Sequence, residues 1–363
     1  MIAELREIAG RLGDVPAYVY DLAALDAHAA RIREATRGIE VYYAVKANPD
    51  PAILRTLAPY VDGFEVSSGG EFDHVSALFP GKRLAFGGPG KTASDLTRKP
   101  YRFHVESPRE LDLLESADVL LRVNLRTEVE GAALAMSGPF GMDPAMVDEC
   151  RTRLGSGNIR VRGIHAHLAS GLDAPALISL AKTIADHAHE GEEVCVGGGM
   201  AVDYTDPANI FDWTTYGEGL RGLDRDILRI EPGRAMTAYC GWYLTKVLDV
   251  KRVHGELFAI LTGGTHHLRT PVTKGHDQPF TVFTPGGQGA LRRPGEGSGH
   301  DEEITLVGQL CTPKDVFARR VGATLRPGDV VAFAMAGAYA YNISHHDFLM
   351  HPKPEFHYVS GMP

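Results

Sequence analysis

Lys46 closes the apolar run Tyr43-Ala44-Val45 and stands before the turn signal Ala47-Asn48. A lysine amine buried at a strand end loses hydration, which lowers its pKa and frees it as a nucleophile for imine chemistry. The same placement suits a lysine that lays its stem on apolar surface and keeps its charge in water. His165 and His167 lie at i, i+2 in another apolar run, so on a strand their side chains point the same way. They read as a metal pair, or as one structural ring and one ring stacked on a planar ligand. The second reading is preferred, because no Asp or Glu at the other strand ends completes a metal set in the pattern of barrel hydrolases. Gly197-Gly198-Gly199 and Glu231-Pro232-Gly233-Arg234 each follow a short apolar run. Glycine amides closed by an arginine suit a phosphate, although a glycine run alone also serves tight turns.

These residues need elements that bring them to one place. Eight β-rich runs alternate with helical patterns: Val41–Val45, Gly63–Val66, Arg83–Phe86, Phe103–Val105, Val119–Val123, Val161–His165, Glu193–Val196 and Leu228–Ile230. Segments such as Ala52–Tyr60, Glu71–Phe79, Pro108–Glu115 and Pro175–His189 carry apolar residues at i, i+3, i+4. The expected fold is α/β, a closed (β/α)8 TIM-type barrel over residues 25–236. Such barrels gather their reactive groups at the C-terminal ends of the strands and often bind phosphate after the last two. Lys46, His167, the glycine run and Glu231–Arg234 all fall there. After Glu231 the pattern changes to strands broken by Gly/Pro turns, as in an antiparallel β domain. Residues 1–24 and 237–363 are assigned to that second domain, with Ala17–Tyr20 as a strand ahead of the barrel.

The composition excludes several classes. With 363 residues and 44% hydrophobic content the chain is long enough for a large core without staples. A formal charge of −9 offers no basic surface for nucleic acid or an anionic membrane. No apolar run reaches bilayer length, and the N-terminus lacks the apolar stretch of an export signal. Cys150, Cys195, Cys240 and Cys311 are widely spaced, without a CxxC. Reduced thiols and a cytoplasmic enzyme of small-molecule chemistry are expected.

Seven motifs in order carry a resemblance: Tyr43-Ala44-Val45-Lys46-Ala47-Asn48, Glu65-Val66-Ser67-Ser68-Gly69-Gly70-Glu71, His165-x-His167-x-x-Ser170, Gly197-Gly198-Gly199, Glu231-Pro232-Gly233-Arg234, Cys311-x-x-x-Asp315 and Gly337-Ala338-Tyr339. The sequence resembles the fold-type III pyridoxal-phosphate (PLP) decarboxylases, which include the ornithine and diaminopimelate decarboxylases. The resemblance implies Lys46 as the Schiff-base lysine and His167 stacked on the pyridine ring. It implies a phosphate site of Ser170, Gly197, Gly198, Gly199, Gly233, Arg234 and Tyr339, with Glu231 on the ring nitrogen. A carboxylate there makes the ring a deep electron sink, which suits decarboxylation better than racemisation. The resemblance further implies a homodimer with shared active sites, in which Cys311 protonates Cα; a lone cysteine would otherwise read as a small buried hydrophobe.

The departures bear on the substrate. Diamino-acid decarboxylases carry Asp or Glu directly after this cysteine to hold a distal ammonium, and this chain has Thr312. Arg269, His266, His267 and His276 would suit carboxylates instead; as an alternative, His266 and His267 are solvated turn residues. Asn342, in Asn342-Ile343-Ser344-His345-His346-Asp347, adds a polar donor. Gly264-Thr265-His266-His267-x-Arg269-x-Pro271 and the Asn342 segment resemble the branch that decarboxylates citryl-diamine intermediates of carboxylate siderophores. Ala169 replaces the usual glycine of the His-x-Gly-Ser motif, and Pro139 stands where Lys or Arg is common. A diaminopimelate decarboxylase is the nearest alternative. A PLP-binding homeostasis protein and a metal-dependent barrel hydrolase are weaker ones.

Overall fold

A computed structural model describes residues 1–126, 131–135, 138–153, 158–269, 278–285, 291–292 and 302–360. The chain divides into two compact units, Ala27–Val202 with Phe211–Met236, and Met1–Asp26 with Asp203–Ile210 and Thr237–Pro363.

The first unit is a closed barrel of eight parallel strands: Glu40–Ala44, Gly63–Val66, Arg83–Phe86, Arg102–Val105, Ala117–Arg122, Ile159–His165, Glu193–Cys195 and Leu228–Ile230. Local chemistry fixes where its helices start. Asp50 caps Pro51–Leu57, Ser68 caps Gly69–Leu78, Ser107 caps Pro108–Leu113 and Asp173 caps Ala174–Ala185, each by accepting backbone N–H bonds. These caps follow their barrel strands by 6, 2, 2 and 8 residues, so the chain is held where it turns out of the barrel. At the N-terminal strand ends buried Arg229 bonds Glu40 at 2.5 Å and Glu193 at 3.2 Å, while Arg102 reaches Glu193 at 2.5 Å. These pairs close the bottom of the barrel with charges that each need the other, because removing one leaves its partner buried and uncompensated. The chemistry is left to the opposite end.

The second unit is a nine-stranded sheet on which helix Ile2–Arg11 packs Leu5 and Ile8 against Val19, Leu244 and Ala332. Ala17–Asp21 joins this sheet between Gly241–Val253 and Glu355–Val359. The sheet is mixed where an antiparallel one was expected. Ala17–Asp21 runs parallel to Glu355–Val359, and Glu256–Leu261 runs parallel to Glu303–Val307. Asp203–Ile210 groups with the sheet, although it lies inside the 25–236 span read as barrel. Its loop is closed on itself by Asp203, which accepts from the Thr205 amide and hydroxyl and from Asn209.

Candidate active site

Lys46 does not end a strand; it sits on the single 3-10 turn Val45–Ala47 that follows strand Glu40–Ala44. Val45 and Ala47 are buried, which turns the lysine between them out over the barrel mouth, half exposed. Its Nζ donates to Glu65 Oε2 at 2.5 Å and lies 3.5 Å from Ser67 Oγ. Ser67 Oγ donates to the other Glu65 oxygen at 2.8 Å. Glu71 holds this turn by accepting from the Ser67 amide at 2.7 Å, and burial pushes its carboxyl above the usual carboxylate range. Glu65, quoted in the sequence only as part of a motif, is thus the group that fixes the amine.

His167 lies just past strand Ile159–His165. Its Nδ1 accepts from the Gly198 amide at 3.1 Å, so the neutral ring carries its proton on Nε2 and can donate to Ser170 Oγ at 3.3 Å. Burial, then the charges of Lys46 and Arg122, push His167 down to about 4. Gly197 has φ +69°, and a Cβ there would stand 2.9 Å from His167 Nδ1. At Gly198 a Cβ would stand 2.6 Å from the Glu231 carbonyl oxygen. Two glycines are therefore needed for the ends of three strands to meet, and the Glu231 amide closes the junction on the Gly197 carbonyl at 2.8 Å. His167, Ser170, Gly197, Gly198, Gly199 and Glu231 come together in this way. Gly233 and Arg234 follow at once, half-buried, with Arg234 opening the short helix Arg234–Thr237.

Glu231 has a second set of neighbours. His165 Nε2 lies 3.1 Å from Glu231 Oε2, and His104 Nε2 lies 3.5 Å from Oε1. His165 thus meets Glu231 and His104, not the partners of His167, and with them it has the donor set of a metal site, an acid completing the set where none was expected.

Residues 22–238 match the family described as "Pyridoxal-dependent decarboxylase, pyridoxal binding domain". The chain belongs to the pyridoxal-dependent decarboxylases. It is 39% identical to the 2-[(L-alanin-3-ylcarbamoyl)methyl]-2-hydroxybutanedioate decarboxylase of Staphylococcus aureus, over 94% of each chain. It is 28% identical to a diaminopimelate decarboxylase of Zymomonas mobilis, covering 92% of this chain and 85% of that one. Among solved structures, diaminopimelate decarboxylase from Helicobacter pylori complexed with L-lysine superposes with a TM-score of 0.83 at 24% identity, covering 96% of this chain and 92% of that one. At that identity the likeness speaks for the fold. This pyridoxal-dependent decarboxylase is a PLP enzyme, and its residues fit the cofactor. Glu231 Oε1 is buried with no hydrogen-bond partner among the described residues, an acceptor left open for a ring N–H. Lys46 would supply the amine, and the glycine junction with Ser170 would supply donors for a phosphate.

The sheet unit holds the remaining residues named from the sequence. Cys311 is an exposed thiol, whereas Cys150, Cys195 and Cys240 are buried. Its loop is anchored by buried Asp315, which accepts from the Thr265 amide at 2.6 Å and the Leu310 amide at 2.8 Å. Thr312 Oγ1 accepts from the Lys314 amide at 3.3 Å. Tyr339 has φ +47° and is half-buried, Asn342 is exposed on the 3-10 turn Tyr341–Ile343, and Arg269 is exposed. His276 lies outside the described residues. His266 and His267 are not solvated turn residues: both are fully buried. The His267 carbonyl accepts from Tyr18 Oη at 2.8 Å and Ser344 Oγ at 3.2 Å, and its Nδ1 lies 3.2 Å from Tyr243 Oη. Burial pushes His266 down to about 4 and His267 to about 3, so neither supplies a positive charge at neutral pH.

One consequence is testable on the whole protein. His28, His104, His165, His167, His266 and His267 all have folded pKa values below the ordinary imidazole value, burial being the largest cause in each. In acid the unfolded chain then binds more protons than the native one. Their stabilisation is full above about pH 6.5 and is lost as pH falls from there towards 4, by up to ~1.4 kcal/mol per pH unit for each group. Melting temperatures measured between pH 8 and 4 should hold steady and then drop steeply below about 6.5. A flat profile down to pH 5 would show that these imidazoles are protonated in the native state.

Proposed function

We propose that this enzyme removes the α-carboxylate of an amino acid whose far end carries carboxylates, a citryl-diamino acid of the kind assembled into carboxylate siderophores. It would act as a cytoplasmic homodimer with shared sites, with no nucleic-acid partner. Among the described residues no helix is long and apolar enough to cross a membrane.

When bound, PLP supplies an electron-withdrawing ring that accepts the electron pair left on Cα as carbon dioxide departs. Lys46 Nζ would hold the cofactor, with Glu65 fixing the amine. The neutral His167 ring would support it, and Ser170, Gly197, Gly198, Gly199, Gly233, Arg234 and Tyr339 would bind its phosphate. Glu231 would hold its ring nitrogen protonated, which would deepen the electron sink. Cys311 of the partner subunit would supply the proton that replaces the carboxylate on Cα.

The observation that carries the substrate class is the Cys311 loop. Asp315 is the sole acid in Gly308–Asp315, and it is buried on two backbone amides. Thr312 brings no charge, so the loop offers no counter-ion to a distal ammonium. The Staphylococcus aureus relative, named for a substrate that joins an alanine unit through a carbamoyl link to hydroxybutanedioate, supports the same reading. Arg269, exposed, with Asn342 as a neutral donor, would receive the tail; His266 and His267 are fully buried, so they would at most support that pocket from behind. A carbon-dioxide release assay over citryl-diaminopropionate, meso-diaminopimelate, ornithine and lysine tests it. The citryl compound is expected to exceed every diamino acid in kcat/KM by at least about 100-fold, the equivalent of ~2.7 kcal/mol. Preference for meso-diaminopimelate would return the chain to the diaminopimelate decarboxylases.

A further inference from the structure

His104 was read from the sequence only as part of a barrel strand, and the roles assigned so far leave it unused. Counting from Glu40–Ala44, Glu65, His104 and His165 stand on the second, fourth and sixth strands, and Glu231 follows the eighth. Alternate strands of such a barrel contribute their inward side chains to one layer. In this chain the uppermost layer is polar, made of two carboxylates and two imidazoles, and all four residues are buried. The His104 and His165 rings stack with centroids 4.0 Å apart and planes 15° apart. Both direct Nε2 at Glu231, at 3.5 Å from Oε1 and 3.1 Å from Oε2.

We propose that His104 is a positioning residue for the decarboxylation: its ring, stacked on His165, sets the plane and place of the Glu231 carboxylate against the cofactor's ring nitrogen. The inference rests on the reading that Glu231 takes that nitrogen. His165 alone holds one oxygen and leaves the carboxylate free to rotate about its last bond. His104 blocks that rotation from the other side. Its 3.5 Å approach is too long to saturate Oε1, so that oxygen keeps a lone pair for the cofactor. Burial holds both imidazoles well below their usual range, so they stay neutral beside the carboxylate. Neutral rings offer N–H donors without taking the Glu231 charge, whereas an imidazolium would compete with the ring nitrogen for it. The third neighbour, Cys195, is buried as well, and burial and the Glu231 charge push its thiol upward, so it too remains neutral.

The tests are made on the holoenzyme. His104→Leu fills the space without a donor, and His104→Gln restores one. His104→Leu is expected to lower kcat about tenfold or more with KM changed less than about twofold, the range seen when a supporting partner of a catalytic group is removed. It should also shift the pH midpoint of the bound cofactor's visible absorbance, which a purely packing role would not move. His104→Gln should recover most of both. If Glu231→Gln changes kcat and the spectrum while His104→Leu changes neither, the inference falls and the reading of Glu231 stands. If Glu231→Gln is itself silent, the reading of Glu231 falls first. The three groups also have the donor set of a metal site. A visible Co2+ band appearing on addition to the holoenzyme, and absent in His104→Leu, would overturn positioning in favour of ligation.

Discussion

Lys46→Ala is expected to abolish carbon-dioxide release and the visible absorbance of bound cofactor together, with far-ultraviolet circular dichroism unchanged. The reason is the scarcity of amines at the barrel mouth. Lys46 is held over it by the turn Val45–Ala47 and by Glu65 at 2.5 Å. Lys91, whose charge is felt by His104 and His165, is buried and donates to the Gly88 carbonyl at 2.7 Å and to Glu110 at 3.0 Å. Freeing it would strand Glu110 unpaired, so it cannot substitute. Without covalent attachment, turnover should fall below about 10⁻³ of the native rate, a barrier increase of ~4 kcal/mol or more. The same variant examines the proposed shared sites. Mixed with Cys311→Ala under conditions of proven subunit exchange, it should regain about a quarter of native activity, because half the dimers are then hybrid and each hybrid carries one intact site. Residual turnover by Lys46→Ala alone would remove the central role of this lysine; no recovery on mixing would confine each site to one subunit.

Much of the barrel was legible because its signals are local. Each strand is a short apolar run, and helices after the strands start at a Ser, Thr or Asp that caps them, as at Asp50, Ser68, Thr92, Ser107 and Asp173. Helices Pro144–Arg153 and Trp213–Arg221 carry the same cap, Asp143 accepting from the Met146 amide and Asp212 from the Thr215 amide, but their apolar faces are weak: the first buries little beyond Val147 and Cys150, and the second is interrupted by Gly217 and Gly219. The strand Glu355–Val359 escaped notice because its side chains are mostly exposed and lack clean alternation, so only pairing with Ala17–Asp21 defines it. The parallel pairing of Glu256–Leu261 with Glu303–Val307 was likewise invisible, since register between distant segments leaves no mark on either one.

The candidate site divides in the same way. Lys46, the glycine run and Glu231 stand out by residue type just past strand ends. His104 and Glu65 do not, because a polar residue inside a four-residue strand looks like an outward-facing one until the barrel closes. The segment Phe103-His104-Val105-Glu106 did carry a signal, two polar side chains alternating with apolar ones. Both point into polar company, His104 to Glu231 and Glu106 to Arg122 at 2.6 Å. In the sheet unit the histidines were read as positive or neutral donors to carboxylates, or as solvated turn residues. Their burial is set by Tyr18, Tyr243 and Ser344, which lie 249, 24 and 77 positions from His267.

Thr312→Glu is expected to invert the substrate preference proposed here, lowering kcat/KM for a citryl-diamino acid by about 100-fold and raising that for a diamino acid by about tenfold. The side chain at this position is half-buried on a loop pinned from both sides by Asp315. A new carboxylate there would therefore be held in place. Facing a substrate carboxylate, it would set two like charges together; facing an ammonium, it would make a charge-assisted bond of roughly 1.5–3 kcal/mol. The loss should appear in kcat as well as KM, because contacts at the remote end hold the α-carboxylate in its reactive orientation. The bound-cofactor spectrum should stay native, since Thr312 is no part of the proposed PLP contacts. Arg269→Ala provides the complementary arm: it should weaken the citryl substrate while leaving diamino acids unaffected. If Thr312→Glu leaves the ranking of substrates unchanged, the loop does not read the substrate tail, and specificity must be set elsewhere in the chain.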